Sequence, residues 1–310
     1  MPDGRPVPGS FWFYAPTHGA PVFFAVAFAA SAGVHLWQCM TYKTFRVTAY
    51  LPFCCTLFAA GFALREYGAF HYDNVNVYLA STLLIYMSPP ILELANYHIL
   101  GRTLYYVPYC ASIHPGRVLS TLGALSAAVE ILNALGLGVI ALFYGLAARF
   151  HARCRAAGVA SPRVRAVLCS LVVSMGLILV RTVYRAVEHF GQRGGGGGGG
   201  GVQTAALSPV VRYEWFFYVL EAAPMLVNTA MWNARHPGRY LPRSFRVYLA
   251  QDGATEVSGP GWRDKRSVVM TVVDPFGLVA MCEKGNRGEP FWEENGYHHL
   301  LRGRKEQSAV

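Results

Sequence analysis

The chain has 310 residues, of which 53% are apolar and only 14% charged; a soluble domain carries about 25% charged residues. Mean hydropathy is +0.28. These values exclude a soluble globular protein, a disordered chain and a disulfide-stapled secreted module. The net charge of +10 comes almost wholly from arginine, since only Lys43, Lys265, Lys284 and Lys305 are lysines. In a soluble protein that balance would point to nucleic acid. Here the arginines fall between long apolar blocks, where basic loops mark the cytoplasmic side of a membrane protein.

Residues 1–20 are Pro- and Gly-rich and lack a basic stretch before an apolar core, so they read as an exposed N-terminus rather than a signal peptide. The first span is expected at Val22 to Met40 and the second at Phe45 to Leu64. Arg65, Glu66, His71 and Asp73 then read as a polar turn. The third span runs from Val77 to Leu100 and ends in Gly101-Arg102. The stretch from Val118 to Leu146 holds a single charge, Glu130, and does not fit the length rule. A crossing needs about 20 residues, so this stretch is long for one and short for two. A basic loop with Arg149, Arg153, Arg155, Arg163 and Arg165 and no acid comes next. Further spans are expected at Ala166 to Phe190 and Tyr213 to Trp232, separated by a linker with eight consecutive glycines, Gly194 to Gly201.

Six spans are clear, but charge asks for seven. With the N-terminus outside, the Lys43/Arg46 and Arg102/Arg117 loops face inside, as the positive-inside rule requires. The five-Arg loop joins them only if residues 118–146 cross twice. Either that stretch forms a tight or re-entrant hairpin, or the chain lacks a segment near Leu135–Val139; we favour the omission. The expected class is therefore all-α and polytopic, seven-span in type. Residues 21–234 would form the membrane domain and 235–310 a cytosolic tail. The tail holds 12 basic and 9 acidic residues, with a hairpin expected around Asp274-Pro275.

Ionisable groups inside spans are costly unless paired, so they mark candidate function. Glu93 lies in the third span with Asn96 and Tyr97 one turn on, and Glu130 in the fourth with Asn133. Arg181, Arg185 and Glu188 recur at i, i+4 and i+7 and share one helix face. Glu214 opens the last span, and Glu221 comes later on the same face near Tyr218. The expectation is a charge-paired cavity in which Arg181 and Arg185 neutralise Glu221, Glu130 or Glu93, able to hold a lipid headgroup. The plain alternative is interhelical polar packing. His35, mid-span in the first helix, reads as a hydrogen-bonded packing residue.

Several chemistries lack their parts. No lysine lies in a span for a retinal Schiff base. No HxxxH, HExxH or CxxC spacing supplies zinc ligands. No GxxxxGK[ST] loop is present, and the Gly run lacks its lysine. The seven cysteines form no CxxC pair. We therefore expect no enzyme activity, no metal and no cofactor.

RTVYRAVEHF, with YEWFFYVLEAAPM and HPGRYLP after it, resembles the closing signature of the fungal RTA-like family of lipid-translocating exporters, named for resistance to aminocholesterol. SPPILELANYHILGR with IHPGRV is similar to an earlier part of that family, and the resemblance covers roughly residues 20–245. Its matching positions here are Tyr97, Gly101 and Arg102; Arg181, Tyr184, Arg185 and Glu188; and Glu214, Tyr218 and Glu221. Many relatives carry Asp at the last of these. The resemblance implies a seven-span plasma-membrane protein with its N-terminus outside. It also implies transbilayer movement of sphingoid long-chain bases and resistance to toxic lipids and lipophilic drugs, with phospholipid or a sterol-like drug as further partners. The region near Leu135–Val139 departs from it, where the family has a loop and the start of another span. A seven-helix lipid sensor, binding without transport, stands as the alternative; an intramembrane lipid enzyme is the weakest.

Overall fold

A computed structural model describes residues 17–71, 73–111, 118, 122, 136–159, 161–193, 209–244, 246–250 and 253–259. These residues are mostly helical. Helix α1 (Ala20–Tyr42) matches the first expected span. Lys43 then takes a left-handed conformation, φ 54°, and a short helix α2 (Phe45–Thr48) intervenes before helix α3 (Tyr50–Phe70). The second span thus begins five residues later than its hydropathy indicates. Thr44 causes the break: its carbonyl accepts from the backbone N–H groups of Val47 and Thr48 at 2.9 and 3.1 Å, and its hydroxyl meets that of Thr48 at 3.1 Å. At its far end α3 continues through Arg65 and Glu66, which therefore lie in a helix and not in a turn.

Helix α4 (Val75–Tyr106) runs 32 residues through Pro89 and Pro90 and past Arg102. Helix α5 (Gly136–Ala156) and helix α6 (Pro162–Arg193) come next. Arg149, Arg153 and Arg155 thus belong to the end of α5, and Arg163 and Arg165 to the start of α6; the basic loop proper shrinks to residues 157–161. The segment near Leu135–Val139, Glu130, Asn133 and the Gly run lie wholly or partly outside the described residues. The last span is composite: α7 (Pro209–Arg212), α8 (Glu214–Phe217), a π-helical turn (Tyr218–Ala222) and α9 (Ala223–Ala234). A two-stranded antiparallel hairpin, β1 (Val247–Leu249) with β2 (Glu256–Ser258), pairs Tyr248 with Val257. Asp274-Pro275 falls outside the described residues. Among the described residues, three helices are long and apolar enough to cross a membrane by length and composition: Ala20–Tyr42, Val75–Tyr106 and Pro162–His189.

The chain divides into two compact units. The first takes residues 1–41, 49–95 and 173–234; the second takes 42–48, 96–172 and 235–310. In the first, Phe24 and Phe28 of α1 meet Phe58 and Phe62 of α3. Phe28 stacks on Phe58 at 4.5 Å and on Phe62 at 5.8 Å, and Phe24 on Phe62 at 5.2 Å. Both pairs are four apart, so each helix presents one aromatic face. Helices in lipid gain little from burying apolar surface against each other; close packing and polar contacts hold them instead. Gly61 supplies close packing: a Cβ there would lie 2.7 Å from Ile85 Cγ1 and 3.2 Å from the Ile85 backbone nitrogen. Polar contacts tie α9 in. Ser174 Oγ donates to Asn228 Oδ1 at 2.8 Å, Trp232 Nε1 donates to Ser174 Oγ at 3.1 Å, and Asn233 Nδ2 donates to Ser31 Oγ at 2.7 Å. His35 joins them as a buried packing residue, with Nε2 3.2 Å from the Thr229 carbonyl oxygen.

In the second unit the tail hairpin is fastened to the end of α4 and the turn after it. Arg102 Nη2 donates to the carbonyl oxygens of Ser244 (2.6 Å), Val247 (3.2 Å) and Pro242 (3.4 Å). Tyr106 donates to Glu256 at 2.9 Å, and Tyr109 to the Ala250 carbonyl at 3.0 Å.

Candidate functional site

Two adjoining groups of ionisable residues form in the first unit. In the first group Glu221 is wholly buried. Its carboxylate pairs with Arg185 and lies 3.7 Å from Arg181 Nε. Both arginines come from α6, four residues apart, so one helix face delivers two cations to one acid. Arg185 also pairs with Glu188 of its own helix and donates to the Tyr86 hydroxyl at 2.7 Å. Its guanidinium lies 4.0 Å from the Tyr86 ring centre, a cation–π distance. Tyr184 is buried beside it, 5.5 Å from the guanidinium.

In the second group Glu214 is buried and accepts from Arg65 Nη2 at 2.8 Å, the Tyr218 hydroxyl at 3.0 Å and the Thr17 backbone N–H at 2.7 Å. The Gly19 N–H donates to both oxygens of Glu66, at 3.3 and 3.2 Å. These two carboxylates therefore sit at the N-terminal end of α1, where backbone donors lack helical partners and the helix dipole favours negative charge.

Phe217 joins the groups. The Arg65 guanidinium lies 4.5 Å from its ring centre and that of Arg185 5.8 Å. Tyr218 stacks on Phe24 at 5.5 Å, with the rings 6° from parallel. An aromatic row of Tyr218, Phe24, Phe62, Phe28 and Phe58 thus leads from the ionic groups along α1 and α3.

Seven residues apart along this composite helix, Glu214 and Glu221 lie about 10 Å apart along its axis. Glu214 meets Arg65, while Glu221, within the π-turn, meets α6. The two acids thus form two stations. Removing one partner of such a buried pair leaves an uncompensated charge and costs about 3–5 kcal/mol.

Of the expected site residues, Arg181, Tyr184, Arg185, Glu188, Glu214, Tyr218 and Glu221 come together in the first unit. Glu93 also belongs to it, half-buried on α4. Asn96, Tyr97 and Arg102 belong to the second unit. There Asn96 and Tyr97 are fully buried, with the Tyr97 ring 6.1 Å from Phe143, and Arg102 holds the tail carbonyls. Glu130 lies outside the described residues. Sequence reasoning missed Arg65, Tyr86 and Phe217. The one signal for Arg65 was the apolar Tyr67–Phe70 stretch beyond it, which prolongs the helix past a charge that looks like its end. Among the described residues no group of three or more His, Cys, Asp or Glu side chains could hold a metal ion.

Comparison with known proteins finds relatives described as lipid exporters or transporters. A family described as "RTA1 like protein" matches residues 133–244. A lipid-translocating exporter-like protein RTA1 from Leptosphaeria maculans is 41% identical over 90% of this chain; the chain spans 61% of that relative's length. A protein of the same description from Ajellomyces capsulatus is 25% identical over 69% of this chain and 76% of its own. A protein named "probable lipid transporter atnI" from Emericella nidulans is 22% identical over 75% of this chain and 69% of its own. No solved structure matches.

Proposed function

Because the chain belongs to the RTA-like family of multi-pass membrane proteins, we propose that it moves amphipathic lipid across the bilayer, with the Glu221 station as its headgroup site. The observation that carries this reading is a fully buried carboxylate held by two arginines beside a row of aromatic rings. A long-chain base has an ammonium head and a hydrocarbon tail. The head would replace an arginine on Glu221, and the tail would lie along Phe24, Phe62, Phe28 and Phe58. Arg181 and Arg185 compensate the acid when no lipid is bound. Glu188 and Tyr86 give Arg185 an alternative partner while it is displaced. No covalent step is needed; transport is a change in which side of the bilayer the station faces.

The relatives' names support lipid as the cargo. A sphingoid base as substrate, resistance to toxic lipids and drugs, and a plasma-membrane location belong to this proposal. So do seven crossings with the N-terminus outside, a membrane domain over residues 21–234 and a cytosolic tail over 235–310. Catalysis has no role in it.

The test is movement of a labelled sphingoid base in vesicles containing the purified chain, against empty vesicles. Glu221→Gln keeps the shape and removes the charge. A hydrogen bond to a charged group contributes about 1.5–3 kcal/mol, so movement should slow about tenfold or more while the protein keeps its helical spectrum. Arg185→Ala should slow it likewise. Unchanged movement in a folded Glu221→Gln protein would overturn the headgroup role. A protein that binds the base and moves none would be a lipid sensor.

A further inference from the structure

The ends of α5 and α6, with the five-residue turn between them, form a helical hairpin in the second unit. It carries Arg149, His151, Arg153, Arg155, Arg163 and Arg165, and residues 149–165 include no acid. All six basic side chains are exposed. The opposite face is apolar and buried, through Phe150, Cys154, Val159, Val164 and Val167. Backbone hydrogen bonds close the end of α5. The Ala157 N–H donates to the Arg153 carbonyl and the Val159 N–H to the Cys154 carbonyl, both at 2.9 Å. Gly158 supplies the left-handed conformation, φ 71°, that closes it. The basic groups are therefore displayed on a fixed scaffold.

Their own partners within the protein are few. Arg163 meets Glu256 at 3.3 Å, in a solvent-exposed pair. Arg153 donates to the Ala111 carbonyl at 3.0 Å. Arg149, Arg155 and Arg165 make no ion pair with another described residue. Helix stability does not explain the pattern either: Arg163 and Arg165 occupy the first turn of α6, where the helix dipole disfavours cations.

We propose that this hairpin is a docking surface for anionic phospholipid of the leaflet it borders. The α6 stretch Pro162–His189 is apolar enough to cross a membrane, so its first turn lies where the hydrocarbon gives way to headgroups. The anions within reach at that depth are lipid phosphates and the extra carboxylate or phosphate of acidic lipids. Clusters of four to eight arginines or lysines beside a membrane helix attract such lipids. The surface shares no residue with the Glu221 station and does not rest on the transport reading. Loop charge acting only on the orientation of insertion is the rival account, and the two separate once the protein is out of the membrane.

The test uses the full chain, purified in a neutral detergent, with retained lipid counted by native mass spectrometry. Dioctanoyl phosphatidylserine is titrated against dioctanoyl phosphatidylcholine. The serine lipid should be retained at about tenfold lower concentration, and that preference should collapse in high salt, where the screening length falls to about 3 Å. The Arg149→Gln/Arg155→Gln/Arg165→Gln protein should lose the preference, and the matching triple Lys protein should keep it. Inorganic phosphate at the same concentrations should not displace the lipid. Equal retention of the two lipids by the unmodified chain would overturn the proposal, as would an unchanged preference in the folded Gln variant. The salt arm uses the unmodified chain, so the proposal stays falsifiable even where the Gln variant fails to fold. Displacement by inorganic phosphate would make the surface an anion site of no lipid specificity and overturn it as well.

Discussion

His236 shows how one side chain can make the protein sensitive to pH. Its Nδ1 accepts from the Gly238 N–H at 3.2 Å, and its ring stacks on Tyr42 at 5.3 Å. Burial, with Arg239 as a second cause, pushes the imidazole down to about 4. The folded chain thus holds the neutral ring. Above about pH 6.5 both folded and unfolded chains carry neutral histidine and stability does not depend on this group. Between there and about pH 4 the unfolded chain takes up a proton that the folded chain refuses, so stability falls as pH falls. By pH 5 the loss is about 2 kcal/mol. Melting temperatures in detergent at pH 7 and pH 5 check this: the drop should be clearly smaller in His236→Asn. An equal drop in both proteins would mean that other groups carry the acid sensitivity. Arg181, Arg185 and Glu221 were legible because regular helix spacing and the cost of charge in lipid point the same way. Arg65 was not, because it comes after a hydrophobic run and so resembles the end of a span; Arg102 was singled out only by the family resemblance, and its tail partners were not foreseen. Their partners, Glu214 and the carbonyls after Leu241, lie 140 or more residues away, which spacing alone does not reveal.

Among the elements, the spans that could be located from hydropathy are those whose ends coincide with a change in composition. α1 is of this kind. α3 and α4 extend past charged residues because tertiary partners satisfy those charges, a tertiary override of the local signal. The π-turn at Tyr218–Ala222 has no sequence signature that distinguishes it from an ordinary helix, so it could not be foreseen. The close approach of α3 and α4 at Gly61 is another feature of this scale. A Cβ at 2.7 Å from the Ile85 side chain and 3.2 Å from its backbone nitrogen forces the helices apart or the side chain off its rotamer. Overpacking of this sort costs about 1–3 kcal/mol. Gly61→Val should therefore lower the melting temperature in detergent. Gly33, whose Cβ would meet nothing within 4 Å, should accept Ala with little change. A Gly61→Val protein as stable as the original would show that α3 and α4 can separate freely.

For the whole molecule, the fold class and the family were legible from composition and two ordered charge motifs, while the hairpin at Val247–Ser258 was not, since each strand is three residues long. The Arg102 clamp has a consequence in time. Its acceptors, Pro242, Ser244 and Val247, lie 140 to 145 residues further along the chain. At about 5–20 residues per second, a ribosome needs on the order of ten seconds to make that stretch. Throughout that interval the end of α4 waits without those carbonyls, although most of the apolar helices have already emerged. A stop codon after Leu241 fixes the chain in that state. It keeps every candidate crossing yet removes hydrogen bonds to a charged group that together contribute about 3 kcal/mol or more. The shortened protein should insert, show a near-complete helical spectrum, melt earlier and have a shorter cellular half-life in a pulse-chase measurement. An unchanged half-life would mean that the clamp is dispensable. Residues 242–247 thus separate a chain whose clamp is closed from one that is merely inserted.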